Sequence, residues 1–453
     1  MAARPVSVKL LGALVLLAPL GTAAAAAEDW PSFLGPNRDG RSAETGILTD
    51  WKAGGPPLVW QREVGEGYAT PVVAGGRLFH ADRAGDQARL TAIDASTGAA
   101  LWQVETPVVY EDYYGYSNGP RASPVVDRDR VYTHGVDGRL QCRRTEDGAL
   151  VWEVDTQRDF GFVQNFFGVA SAPLVEGELL IVPVGGSPPG SPPIHSGRVT
   201  GNASALVAFD RATGKVRWRA SDELASYASP VVRVVRGRRV GFHFARGGLV
   251  AFDPATGAER FFYPWRATRL ESVNGATPVV AGDEVLITES YGPGAALLRV
   301  TDEGGGFEGG ATGRAKPGYD VVWKDGPRPR LAAHWSTPIV HEGFVYASSG
   351  EKSGSAELVC LEWKTGAVRW SQPGLYRSTL LYVDRHLVVL TEYGQLLLVR
   401  ATSERFEAVA TSDLRGADGR PLVRHPAWGA PVLANGLLYL KGEGTLVALR
   451  LIP

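Results

Sequence analysis

Apolar positions in this chain come in short alternating runs, and the same run keeps returning. The stretch "ALVAFDRATGKVRW" (205–218) is echoed by "LTAIDASTGAALW" (90–102), "LQCRRTEDGALVW" (140–152), "LVAFDPATGAERF" (249–261) and "LVCLEWKTGAVRW" (358–370). Each reads as an alternating strand, a turn and a second strand ending in an aromatic residue. The turn closes on a glycine, which takes the positive φ that other residues resist. A second phrase keeps step with the first, as in "ATPVVAGGRLF" (69–79) and "GAPVLANGLLY" (429–439). Its anchor residues are Pro71, Pro124, Pro173, Pro230, Pro278, Pro338, Leu380 and Pro431, at an average step of about 51 residues. Period-two alternation bounded by Gly/Asp turns predicts antiparallel strands. Four such strands in a repeat of this length predict a propeller blade.

Eight units are present. The last stops at "TLVALRLIP" after its third strand, and "PPLVWQREVG" (56–65) supplies a strand just before the first unit. An all-β, eight-bladed propeller of four-stranded antiparallel blades follows, its ring closed by an N-terminal strand that completes the last blade. Closure removes the exposed sheet edges. The aromatics of strand four are expected at Trp60, Trp102, Trp152, Trp218, Phe261, Trp323, Trp370 and Phe406, as packing between blades and not as a ligand stripe.

The text "AFDRATGKVRW" (208–218), with Ala208, Asp210, Thr213, Gly214, Lys215 and Trp218 in its fixed positions, resembles the tryptophan-docking motif of pyrroloquinoline-quinone (PQQ) repeat propellers. The resemblance covers roughly residues 56–451. It implies that these residues lock neighbouring blades. It does not by itself imply a bound quinone, because many propellers with this repeat carry none.

Composition narrows the classes. A formal net charge of −1 argues against nucleic acid as a partner. Residues 1–27 read as a signal peptide: Arg4 and Lys9, an apolar run from Leu10 to Leu20, then small residues up to Ala27. Residues 28–55 follow as an N-terminal extension and 56–453 as the propeller. No later run is long enough to span a membrane. With no cysteine near the cut for lipidation, the protein is expected to be periplasmic or secreted, and a monomer. Cys142 and Cys360 are the only cysteines, four units apart, and are expected to be unpaired. The histidines are scattered without ligand spacing, so no metal site is read from the sequence. "SGEK" (349–352) and "GGGFEG" (304–309) match catalytic and dinucleotide patterns in letters only, with no helix behind either.

A site is expected on the face where loops join the blades. Three long segments converge there: 108–121, 158–171 and the Pro/Gly/Ser-rich 185–204. Candidate ligand-face residues are Tyr113, Tyr116, Arg121, Asn165, Phe167, Asn274, Glu289, Tyr291, His334, Trp335, Lys352, Arg377, Glu392 and Trp428, with Glu351, Lys441 and Glu443 nearby. Arg121 and Arg377 hold the same repeat position, three before the anchor. They are suited either to a ligand's carboxylates or to a satisfied network with Glu289, Glu392 or Glu443.

The function read from this is a non-catalytic exported binding or assembly scaffold. It resembles the periplasmic lipoprotein that assists insertion of outer-membrane β-barrels, although the lipidation cysteine is missing. Its partner would be a periplasmic protein, a peptide or a carbohydrate; exposed tyrosines in the aromatic loops would favour the last two. The alternative is a quinoprotein oxidoreductase holding PQQ and calcium and acting on alcohols or sugars. The vicinal cysteine pair of the alcohol-oxidising members is absent.

Overall fold

In seven of the eight units the inner strand starts directly after the anchor, as in Val72–Ala74 after Pro71, Val125–Asp127 after Pro124 and Val432–Ala434 after Pro431; in the seventh, where Leu380 replaces the proline, the strand Ser378–Val383 starts two residues before it. Proline is tolerated at such a position, where a strand is only beginning. The computed structural model describes residues 1–2, 28–51, 54–161, 166–193, 199–270, 272, 274–302 and 318–453. Residues 3–27 of the leader, Asn165 and most of the 301–318 insertion lie outside them. The described residues form eight four-stranded sheets, each antiparallel from the inner strand outward. In the eighth, Leu58–Glu63 pairs with Thr445–Arg450 and closes the ring.

Burial follows from stacking. The two middle strands of a blade are covered on both faces, so His386–Thr391 and Leu437–Gly442 are buried at every position. The outermost strand keeps one face in solvent, and Ala100–Pro107 alternates accordingly. Cys142 and Cys360 sit at equivalent buried positions, each opposite the strand-four tryptophan of its own blade, and both are free. Burial pushes their thiols up to about 11 and about 12.

Blades are clasped to one another through the recurring turn. Trp60, Trp102, Trp152, Trp323 and Trp370 each donate an indole N–H to a carbonyl in the next blade, at 2.9, 3.0, 3.1, 2.8 and 2.8 Å. Trp218 has no acceptor for its indole N–H. The turn glycine lies flat on the indole. A Cβ on Gly214 would sit 2.8 Å from Trp152, and one on Gly257 2.5 Å from Trp218. Asp210 holds the turn by accepting from Thr213 N and Oγ1 at 3.0 and 2.9 Å. Phe406 departs from the expected pattern. Strand four of blade seven is Ala408–Ser412, and a bulge places Ala410 opposite Leu398, where other blades put the tryptophan. Phe406 packs before the strand, against Trp370.

The extension is built into the propeller. From residue 28 it passes beneath the inner strands. Trp30 pairs with Val73, and Pro31 O accepts from Val126 N. Arg38 reaches Pro173 O, and Arg233 reaches Asn37 O. Gly40 and Ser42 bond to Tyr382, and Glu44 accepts from Asn435 N and Gly436 N. One short segment thus touches blades one, two, three, four, seven and eight, at or beside their inner strands. It closes the central channel on that side.

Candidate functional site

The repeat position three before the anchor is occupied in turn by Tyr68, Arg121, Ala170, Tyr227, Gly275, Trp335, Arg377 and Trp428. All eight line one cavity of about 230 Å³ on the channel axis. The register explains this. Inner strands converge on the axis, so equivalent residues just ahead of them form a ring at the loop-side mouth. Two residues deeper, Thr70, Ser123, Ala172 and Ser229 line the lower wall. There an amide of one blade donates to a hydroxyl of the next: Thr70 N to Ser123 at 3.1 Å, Ala172 N to Ser229 at 3.0 Å, Ala430 N to Thr70 at 3.2 Å. Phe33 of the extension reaches the cavity from below. The result is a cup with one mouth.

Its wall is aromatic and continuous. Ring centroids lie 4.8 Å apart for Tyr68–Trp428, 5.2 Å for Trp335–Trp428 and 5.7 Å for Phe167–Tyr227. The Arg377 guanidinium lies over Trp335 and Trp428 at 4.8 and 5.3 Å, and that of Arg121 over Tyr68 and Phe167 at 5.5 and 5.6 Å. Both arginines carry a carboxylate behind the wall. Arg377 meets Glu392 at 2.6 Å, and Glu392 also accepts from Trp428 Nε1 at 3.1 Å. Burial alone would push Glu392 up, but hydrogen bonds led by Arg377 hold it below the usual range. Arg121 meets Asp112 at 2.7 Å, a partner not read from the sequence. Asp112 is buried and accepts the amides of Tyr114, Tyr116 and Ser117 at 3.0–3.1 Å. One carboxylate therefore neutralises the arginine and shapes the aromatic loop. Neither Glu289 nor Glu443 forms an ion pair with these arginines.

Tyr291 and His334 share a 2.7 Å hydrogen bond on the cup wall. Burial lowers His334 to about 4 and raises the Tyr291 phenol far above its ordinary value. At neutral pH the pair is uncharged. Glu289 stands behind Tyr291, accepting from Ser272 Oγ and Tyr291 N at 2.9 Å each, and burial pushes it up to about 7. It does not line the cup.

Of the sequence candidates, Tyr116, Arg121, Phe167, Tyr291, His334, Trp335, Arg377 and Trp428 line the cup. Glu392 and Glu289 lie behind it. Asn274 is buried away from it, donating to Ala245 O at 2.6 Å. Lys352 is exposed beside a short turn, and Glu351 pairs with Arg269 at 2.8 Å. Lys441 is buried against Gly67 O and lowered to about 8 by desolvation. Tyr113 is on the rim, 64% exposed, with Tyr116 at 58%, whereas Phe160 and Phe166 are buried. The first aromatic loop thus presents rings at the mouth while the second packs beneath. Tyr68, Tyr227 and Phe33 were missed. The first two share the register of Arg121 and Arg377, and that register was the available signal.

The described residues do not fit a calcium–quinone unit. Calcium takes six to eight oxygen ligands, and among the described residues no three acidic, histidine or cysteine side chains are grouped to hold a metal. The carboxylates nearest the cup are already committed to arginine or to hydrogen bonds. A polycarboxylate quinone would meet two guanidiniums that are each neutralised.

The PQQ_2 family model, described as outer membrane protein assembly factor BamB, matches residues 42–182, 87–306 and 320–413. A quinone-dependent alcohol dehydrogenase subunit of Komagataeibacter europaeus is 31% identical over 159 residues, 33% of this chain and 19% of that protein. The chain thus matches about a fifth of the length of such curated relatives. Among solved structures, BamB of Moraxella catarrhalis superposes with a TM-score of 0.57 at 14% identity, covering 87% of this chain and 97% of that one. The quinohemoprotein alcohol dehydrogenase of Comamonas testosteroni gives 0.63 at 15% identity, covering 94% and 81%. These two likenesses speak to the fold alone. No helix among the described residues is long and apolar enough to cross a membrane.

Proposed function

As the chain belongs to the PQQ_2 family, described as outer membrane protein assembly factor BamB, we propose that it is an exported, non-catalytic binding propeller of the bacterial envelope whose axial cup receives part of a partner protein. The observation that carries this is the composition of the cup. Trp, Tyr, Phe, Arg and His line it together with small residues, and among the described residues no carboxylate is on the wall. These residue types dominate the energetic centres of protein interfaces, where charged acids are depleted. The exposed Tyr113 and Tyr116 extend the same chemistry over the rim. General acid–base work needs a group that titrates near the working pH and faces the substrate. His334 and Tyr291 face the cup and stay neutral, while Glu289 has the pH range and does not face it. Export rests on the leader-like residues 1–27 and on the family's description as an outer membrane protein assembly factor.

The competing reading, a quinoprotein dehydrogenase, draws on the local likeness to alcohol dehydrogenase subunits. Titration of the purified protein with PQQ, with and without Ca²⁺, followed by tryptophan fluorescence, separates the two. The binding-propeller reading expects no saturable quenching at micromolar quinone. Tight calcium-dependent quenching would replace it with the enzyme.

A further inference from the structure

The segment that floors the cup returns on itself. The backbone N of Glu28 lies 3.2 Å from Oε1 of Glu44. Glu44 is 3% exposed, and its remaining acceptor contacts are amides: Asn435 N at 2.7 Å on Oε1 and Gly436 N at 2.8 Å on Oε2. No cation among the described residues pairs with it. Among the described buried carboxylates it shares this only with Glu289, which is held by Ser272 Oγ and Tyr291 N. Buried Asp82, Asp112, Glu284, Asp325 and Glu392 each hold an arginine at 2.5–2.8 Å. A buried carboxylate without a cation is expensive.

The sequence ahead of Glu28 is "GTAAAAA", small residues at every position that a leader-cleaving peptidase reads. Ala27 lies outside the described residues; Glu28 is the first described residue after it. We propose that the Ala27–Glu28 bond is a processing site, and that the α-ammonium freed there is the missing cation of Glu44. The inference rests on the export reading above. A leader-cleaving peptidase of the envelope adds water across the bond. The water oxygen enters the new Ala27 carboxylate, and both water protons end on the Glu28 nitrogen. The atom that now offers Glu44 one N–H then offers three and a full charge. Neighbouring contacts hold it in place: Ala43 N donates to the Glu28 carboxylate at 2.9 Å, and Gly75 N to Asp29 at 2.9 Å. Because Asp29 accepts from Gly75 of blade one and Glu44 from Asn435 and Gly436 of blade eight, the new ion pair adds a tie between those two blades beneath the cup.

The test uses the protein recovered after export. Mass and N-terminal sequence should begin at Glu28. Reaction of the α-amine with an amine reagent near pH 7 then reports pairing. Each unit by which pairing raises the ammonium lowers the free-amine fraction about tenfold. The expected result is labelling at least about tenfold slower than in Glu44→Gln. A second variant inserts one glycine before Glu28, keeps Glu44, and moves the ammonium by about 3.8 Å; it should label at the ordinary rate. Equal rates in all three forms would overturn the ion pair. An exported protein starting at another residue would overturn the cleavage site. Retention in the cytoplasm with the leader attached would instead overturn the export reading.

Discussion

Replacing His243 with leucine should make the protein markedly less sensitive to acid. His243 lies in the strand Arg238–Phe244 with no exposure, and neither ring nitrogen has a hydrogen-bond partner. Burial therefore lowers its pKa to about 3. The unfolded chain takes up the imidazole proton below about 6.5, while the folded chain does not until about 3. Stability is thus intact above the unfolded value and falls as pH drops through that window. At pH 4.5 the unfolded group is protonated by about two units' worth of free energy and the folded one remains neutral. At about 1.36 kcal/mol per unit the loss is about 3 kcal/mol. At pH 7.5 leucine should change stability by less than about 1.5 kcal/mol, since it exchanges an unpartnered polar ring for an apolar side chain of similar size. Urea unfolding followed by tryptophan fluorescence at both pH values gives the two differences. The wild type should lose about 3 kcal/mol more than the variant on acidification. Parallel losses would show that His243 is not held neutral by the fold. His134 and His80, lowered by burial to about 3 and about 4, should add similar slopes.

Other substitutions probe the clasp and the cup. Gly257→Ala combines φ +76° with a Cβ 2.5 Å from Trp218, whereas Gly282→Ala has φ +62° and open space. Thermal and urea unfolding should show a loss above about 2 kcal/mol for the first and near about 1 kcal/mol for the second; equal effects would deny the clasp. Glu392→Gln leaves Arg377 without its carboxylate and should cost about 2–3 kcal/mol at neutral pH. Because Glu392 is held below the usual carboxylate range, its contribution is lost as pH falls through that range. The variant should lack that part of the acid slope in the same unfolding series.

The propeller was legible because each blade needs the same clasp. A glycine must lie on an indole, so "TG" and tryptophan recur at fixed spacing, and the anchor proline marks seven of the eight inner strands. Blade seven broke the pattern: Leu380 replaces the proline, and Ala410 stands where Phe406 was expected. The loop face was legible too, since long aromatic segments between strands have no place in a core. Within it, only residues with conspicuous chemistry stood out. Tyr68 and Tyr227 sit in ordinary text, and their role appears once the register of Arg121 and Arg377 is carried around the ring. Asp112 could not be assigned to Arg121, because their contact depends on how the loop 112–117 folds back. Nor did the text of the extension show that it passes beneath the blades, since its bonds run to backbone groups scattered over the chain.

The central claim is that the axial cup is where a partner docks. A photo-crosslinking residue at Tyr116, on the cup mouth, should trap a discrete envelope protein in living cells, and Trp428→Ala should abolish the adduct. The same residue at Ala255, in an exposed turn of the opposite face, should trap nothing specific. Equal adducts from both faces, or an adduct at Tyr116 indifferent to Trp428, would contradict the account.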